Sequence, residues 1–156
     1  MKKIIILIVL LIAAYFVFFN HKASAPVEDT TSKMPPISNA DQIQVTGKAS
    51  INDLIGFSIM PNTKVHGILS YRGTIQGGYF FEANILINIL DNNKAVLKAS
   101  NGVAKSDWMT SGPVDFEGNI DFTGLPAGPA YFEIHNDNAS GEPENDKSIL
   151  IPIVIE

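Results

Sequence analysis

The 156-residue chain predicts an all-β domain of about seven short antiparallel strands, set behind an apolar N-terminal helix. Three observations carry this expectation. Apolar and polar residues alternate through most of 53–156, the pattern of strands with one face in a core and one in water. Asn, Asp, Gly and Pro cluster between the alternating stretches, where chain reversals need them. After residue 22 no segment repeats with the 3.6-residue period of a helix. Seven strands over roughly 100 residues point to two packed antiparallel sheets, an immunoglobulin-like β-sandwich.

Taken in order, the first element is an address. Met1-Lys2-Lys3 precedes an unbroken apolar run from Ile4 to Phe19, followed by Asn20-His21-Lys22. Basic residues ahead of such a run make a signal-anchor or transmembrane helix over 1–22, with the rest of the chain exported. A single-pass, C-terminal-out membrane anchor is expected; secretion after cleavage near Ala25, in the small-x-small run Ala23-Ser24-Ala25, is the alternative. Pro26 would then be the first mature residue, which suits an extended protease-bound backbone poorly. Residues 23–52, rich in Ala, Ser, Thr, Pro, Asp and Asn, read as a flexible extracytoplasmic linker. Within it, Gln42-Ile43-Gln44-Val45-Thr46 has the makings of an edge strand.

The domain proper is expected over 53–156. Ile55–Ile59 and Val65–Tyr71 read as strands. Phe81, Ala83, Ile85, Ile87 and Ile89 share one strand face, opposed by Glu82, Asn84 and Asn88. Asp91-Asn92-Asn93-Lys94 supplies a turn, and Ala95 to Ala104 returns with a bulge or bend at Asn101-Gly102. Val114, Phe116, Gly118, Ile120 and Phe122 line a core face, with Asp115, Glu117, Asn119 and Asp121 facing water. Phe132 and Ile134 point inward, and Tyr131, Glu133 and His135 outward. Ile149, Ile151, Ile153 and Ile155 close the chain; Pro152, lacking a ladder donor, marks that strand as an edge or a bulge.

Composition excludes several chemistries. With no cysteine there is no disulfide, thiolate zinc site, thiol nucleophile or lipoprotein anchor. The net charge of −5 conceals an asymmetry: residues 1–25 hold three Lys and no acid, leaving 8 basic against 16 acidic residues, or −8, beyond them. An acidic body argues against a nucleic-acid partner, which requires Lys and Arg to displace counterions. There is no Gly-x-Ser-x-Gly elbow, Walker loop or dinucleotide fingerprint, and Gly47-Lys48-Ala49-Ser50 only echoes the end of a P-loop. His21, His66 and His135 lack metal-like spacing. A non-enzymatic protein without cofactor is expected.

Gly77-Gly78-Tyr79-Phe80-Phe81-Glu82-Ala83, Asp107-Trp108-Met109-Thr110 and Ser140-Gly141-Glu142-Pro143-Glu144-Asn145-Asp146, ahead of an Ile-Pro-Ile strand, stand in an informative order. Together they resemble the immunoglobulin-like domain of bacterial spore germination, the Gmad family, over residues 53–156. The family usually has Trp where this chain has Tyr79, and its Ser-Pro-x-Pro-Gly-like opening is here Met60-Pro61-Asn62-Thr63. The resemblance implies an envelope-facing binding module, carries no catalytic residues across, and does not by itself imply a germination role.

The candidate interaction surface comprises Tyr79, Trp108, Asp137, Glu142, Glu144 and Asp146. Its expected partner is an envelope protein or a cell-wall component. Aromatic faces stack on sugars, so Tyr79 and Trp108 also permit a carbohydrate or peptidoglycan platform, although such residues more often pack into cores. The acids and amides of 136–146 are oxygen ligands of the kind Ca²⁺ prefers, as in a Ca-assisted adhesion domain. They lack the EF-hand order, however, and read more simply as side chains capping their own turn.

Overall fold

The computed structural model describes residues 42–156: nine strands, mostly antiparallel, with no α-helix among the described residues. The helix predicted over 1–22, and the linker up to residue 41, lie outside the described residues. The strands are β1 (Gln44–Gly47), β2 (Leu54–Phe57), β3 (Thr63–Val65), β4 (Ile68–Gln76), β5 (Asn84–Asp91), β6 (Val96–Ala104), β7 (Pro113–Asp121), β8 (Gly128–His135) and β9 (Lys147–Ile155). Their hydrogen-bonded order is β1-β9-β8-β5-β6-β7-β4-β2, and β3 runs parallel to β9.

That path folds back on itself. Four strand spacings separate β8 from β4, roughly 19 Å in a flat sheet. Yet the rings of Tyr71 on β4 and Phe132 on β8 lie 5.1 Å apart, and Phe57 on β2 reaches Phe132 at 5.2 Å. β6 makes the fold possible, because it pairs with β5 along most of its length but with β7 only through Val103 and Ala104. The inner faces of the two halves therefore meet across one core. Ile85, Ile87, Ile89, Ile134, Ile149, Ile151 and Ile153 from one half pack with Ile75, Val114, Phe116 and Ile120 from the other. Each buried Ile or Phe contributes about 1.5–3 kcal/mol relative to an exposed one, so packing alone supplies cohesion in a chain without cysteine.

The alternation expected for β7 is present, with Val114, Phe116, Ile120 and Phe122 all buried. Gly118 completes that face for a different reason. A Cβ there would stand 2.3 Å from the Tyr71 hydroxyl, which passes over the glycine to donate to the Asn101 carbonyl at 3.0 Å. Burial pushes the Tyr71 phenol up to about 12, partly offset by Ser100.

Several expectations need correction. The folded unit begins before residue 53, because the edge strand expected within 42–46 forms as β1 and pairs with β9 from Gln44↔Leu150 to Gly47↔Lys147, inside the stretch otherwise read as linker. The segment Val65–Tyr71 is two strands, since Gly67 takes a positive φ between β3 and β4. β5 starts at Asn84 rather than Phe81; Glu82 and Ala83 adopt φ of 49° and 63°, so the chain is turning there. The register of β5 with β6 runs undisturbed through Asn101 and Gly102 and shifts instead opposite Ile89 and Leu90, leaving Leu97 as the extra residue.

Nor is β9 an edge. It lies between β8 on one side and both β1 and β3 on the other. Pro152 falls in the gap after β1 has ended at Gln44↔Leu150 and before β3 begins at Thr63↔Ile153. Its carbonyl accepts from Asn62 N at 2.7 Å on that side. The missing N–H points into the same gap, where no strand requires it.

Candidate functional site

Antiparallel pairing fixes which connections share an end. Gln76 pairs with Pro113, Asn84 with Val103, His135 with Ser148, Gly47 with Lys147, and Leu54 with Ile75. The connections 48–53, 77–83, 105–112 and 136–146 therefore gather at one end of the domain, and all three motif segments lie within them.

Hydrogen bonds tie these loops together. Gly77 N donates to Gly112 O at 2.8 Å, Asp137 N to Tyr79 O at 3.2 Å, and Lys48 N to Asp146 O at 2.8 Å. Lys48 Nζ donates to Asn145 Oδ1 at 2.9 Å. The Tyr79 hydroxyl donates to Asp53 Oδ2 at 2.9 Å, and the same carboxylate accepts from Ser50 N, closing a capping box on the short 3₁₀ turn Ile51–Asp53. The loop 77–83 is thus joined to each of the other three.

Tyr79 is completely buried, so it is a structural pin and not part of an exposed surface. Burial, reinforced by the Asp53 carboxylate, holds its phenol well above the ordinary range. Lys147 Nζ sits 5.1 Å from its ring centroid, covering one face. A sugar platform is left with Trp108 alone, and that side chain is half-buried against the core from loop 105–112. Within the four connections, the large apolar side chains exposed to solvent are Ile51, Phe81 and Met109, with Met109 77 % exposed.

In 136–146 the side chains cap the loop itself. Buried Asn136 donates to Asn145 O at 3.0 Å and accepts from Lys147 N at 2.7 Å. Asn138 Nδ2 donates to Glu142 O and to Asp146 Oδ1, each at 2.8 Å, while its oxygen accepts from Ser140 N and Oγ. Asp137 and Asp146 are half-buried; Glu142 and Glu144 are exposed. Among the described residues no group of three His, Asp or Glu is placed to hold a metal.

The two outer sheet faces differ. On β4 and β7, Ser70 bonds Asn119, Thr74 bonds Asp115, and Lys105 of the loop preceding β7 pairs with Glu117 at 2.9 Å. Both partners of that ion pair are more than half exposed, so it contributes little. The face of β5, β8 and β9 is drier. Tyr131, Leu90 and Leu150 form a buried cluster there, with Lys94 Nζ 3.1 Å above the Tyr131 ring. Half-buried Glu133 accepts from Asn88 Nδ2 at 2.8 Å and from the Ser148 hydroxyl. Outward alternation suggests water for Tyr131, Glu133 and His135, whereas the fold buries Tyr131 and half-buries Glu133 and His135. The available signal was a polar residue inside each of three largely apolar strands: Asn88, Glu133 and Ser148.

No family model matches the chain, and searches of curated proteins and of solved structures returned no significant match.

Proposed function

We propose that the chain is a non-enzymatic, immunoglobulin-like module, anchored outside a bacterial cytoplasmic membrane, that docks a cell-envelope protein through its joined loop end. The observation that carries this reading is the set of hydrogen bonds linking 77–83 to the other three loops. Loops fixed to one another keep their shape on binding and lose less conformational freedom. The apolar tips of Ile51, Phe81 and Met109, set among the acids of 136–146, supply a contact surface.

The immunoglobulin-like assignment is supported by the strand path, with β3 parallel to the last strand and β6 shared between the two halves. The resemblance to the germination-associated family points to the same setting.

The test is recovery of partners from envelope extract by the full chain in mild detergent. Phe81→Asp with Met109→Asp should abolish specific recovery, whereas Asn92→Asp at the opposite end should not. Equal recovery by all three proteins would refute docking through the loops. Specific binding to purified peptidoglycan fragments in place of protein would favour the carbohydrate reading.

A further inference from the structure

A depression of about 450 Å³ lies on the outer face of β5, β8 and β9, walled by Leu86, Leu90 and Leu150 and also lined by Lys94, Glu133 and His135. Glu133 is half-buried at its centre, and both carboxylate oxygens are fixed, Oε2 by Asn88 and Oε1 by Ser148. Both donors are neutral, so they orient the charge without cancelling it. The ion pairs among the described residues are Lys64–Glu156 and Lys105–Glu117; neither involves Glu133. Lys94 is engaged by the Tyr131 ring and by Gln44 Oε1 at 3.1 Å. His135 Nδ1 is buried without a hydrogen-bond partner, an unfavourable state for a polar atom.

A pre-oriented carboxylate between leucines calls for one kind of visitor: a cation on an aliphatic stem. We propose that this depression binds a lysine or arginine side chain of a partner protein, with Glu133 as its counter-ion. The stem lies against Leu86 and Leu150. The head pairs with Glu133, beside the His135 ring that also lines the depression. The acidic body draws basic surfaces toward it. This site stands apart from the loop end, and its experiment reads only the sheet face, so either proposal can fail without the other.

The full chain in detergent, labelled at histidine, is titrated with Ac-Val-Lys-Val-NH2, its arginine counterpart and its norleucine counterpart, which lacks the charge. The two basic peptides should shift the His135 ring signals and saturate, with norleucine needing at least ten times the concentration. Glu133→Gln should raise the lysine-peptide midpoint at least ten-fold. Leu86 is paired across the strands with His135, so Leu86→Lys places an internal amine at the site and should block the peptide even if the glutamine variant folds poorly. Norleucine binding as well as lysine would overturn the proposal. So would unchanged lysine-peptide binding by either variant.

Discussion

Replacing Gly77 with alanine separates two loops that the fold holds in contact. A Cβ at this position would stand 1.6 Å from the Thr110 carbonyl oxygen and 3.0 Å from Ser111 Cα, both backbone atoms. Ordinary contact begins near 3.4 Å, so 77–83 and 105–112 must part by about 1.8 Å at the tightest point. The 2.8 Å bond from Gly77 N to Gly112 O does not survive such a shift. A lost hydrogen bond of about 0.5–1.5 kcal/mol and steric strain of about 1–3 kcal/mol together predict a loss of about 1.5–4.5 kcal/mol. Trp108, the single tryptophan, lies in the displaced loop and reports the change directly. Urea unfolding followed by its fluorescence should give a lower midpoint, with native emission shifted to longer wavelength. Gly56→Ala is the control: nothing lies within 4 Å of its added carbon, so its stability should move by less than about 0.5 kcal/mol. A wild-type midpoint and unshifted emission in Gly77→Ala would refute the joined loop end.

Three further outcomes follow from the same geometry. Tyr79→Phe removes the hydroxyl donated to Asp53 and should destabilise the domain by about 1.5–3 kcal/mol, the range for a hydrogen bond to a charged group, as measured by urea unfolding. Asn136→Ala leaves Lys147 N and Asn145 O without their partner; a loss of about 2–4 kcal/mol should accompany faster hydrogen exchange at Lys147. In alkali, folded Tyr71 keeps its proton to about pH 12, whereas the unfolded phenol ionises near 10. The folded state then binds more protons, so this contribution is complete below pH 10 and is lost as pH rises toward 12. Phenolate absorbance should show a late step coinciding with loss of near-ultraviolet circular dichroism. Ionisation of every phenol near pH 10 with the fold intact would contradict the burial of Tyr71 and Tyr79.

What could be read from the residues alone was whatever period two dictates locally. β7 followed from Val114, Phe116 and Ile120 because each must avoid water whichever strand lies beside it. Phe81 and Ala83 fit the same alternation yet sit in a turn, since the backbone reversal at Glu82 and Ala83 leaves no mark on hydropathy. Pro152 misled for a related reason: its missing donor matters only against a neighbour, and here two short strands leave a gap beside it. The chemistry was harder to read than the fold. Tyr79 offered an aromatic and Asp53 a carboxylate, but 26 residues separate them and only tertiary structure joins them. The depression around Glu133 depends on β5, β8 and β9 lying side by side, an order that alternation within one strand does not encode.

We place the proposed docking surface at the loop end. Its most direct measurement places a photo-crosslinking residue at Met109 in the full-length protein in cells, and in a second strain at Asn92 on the opposite end. Docking through the loop end predicts discrete envelope-protein adducts from position 109 and none from position 92. Adducts from 92 but not 109, or the same products from both, would contradict it.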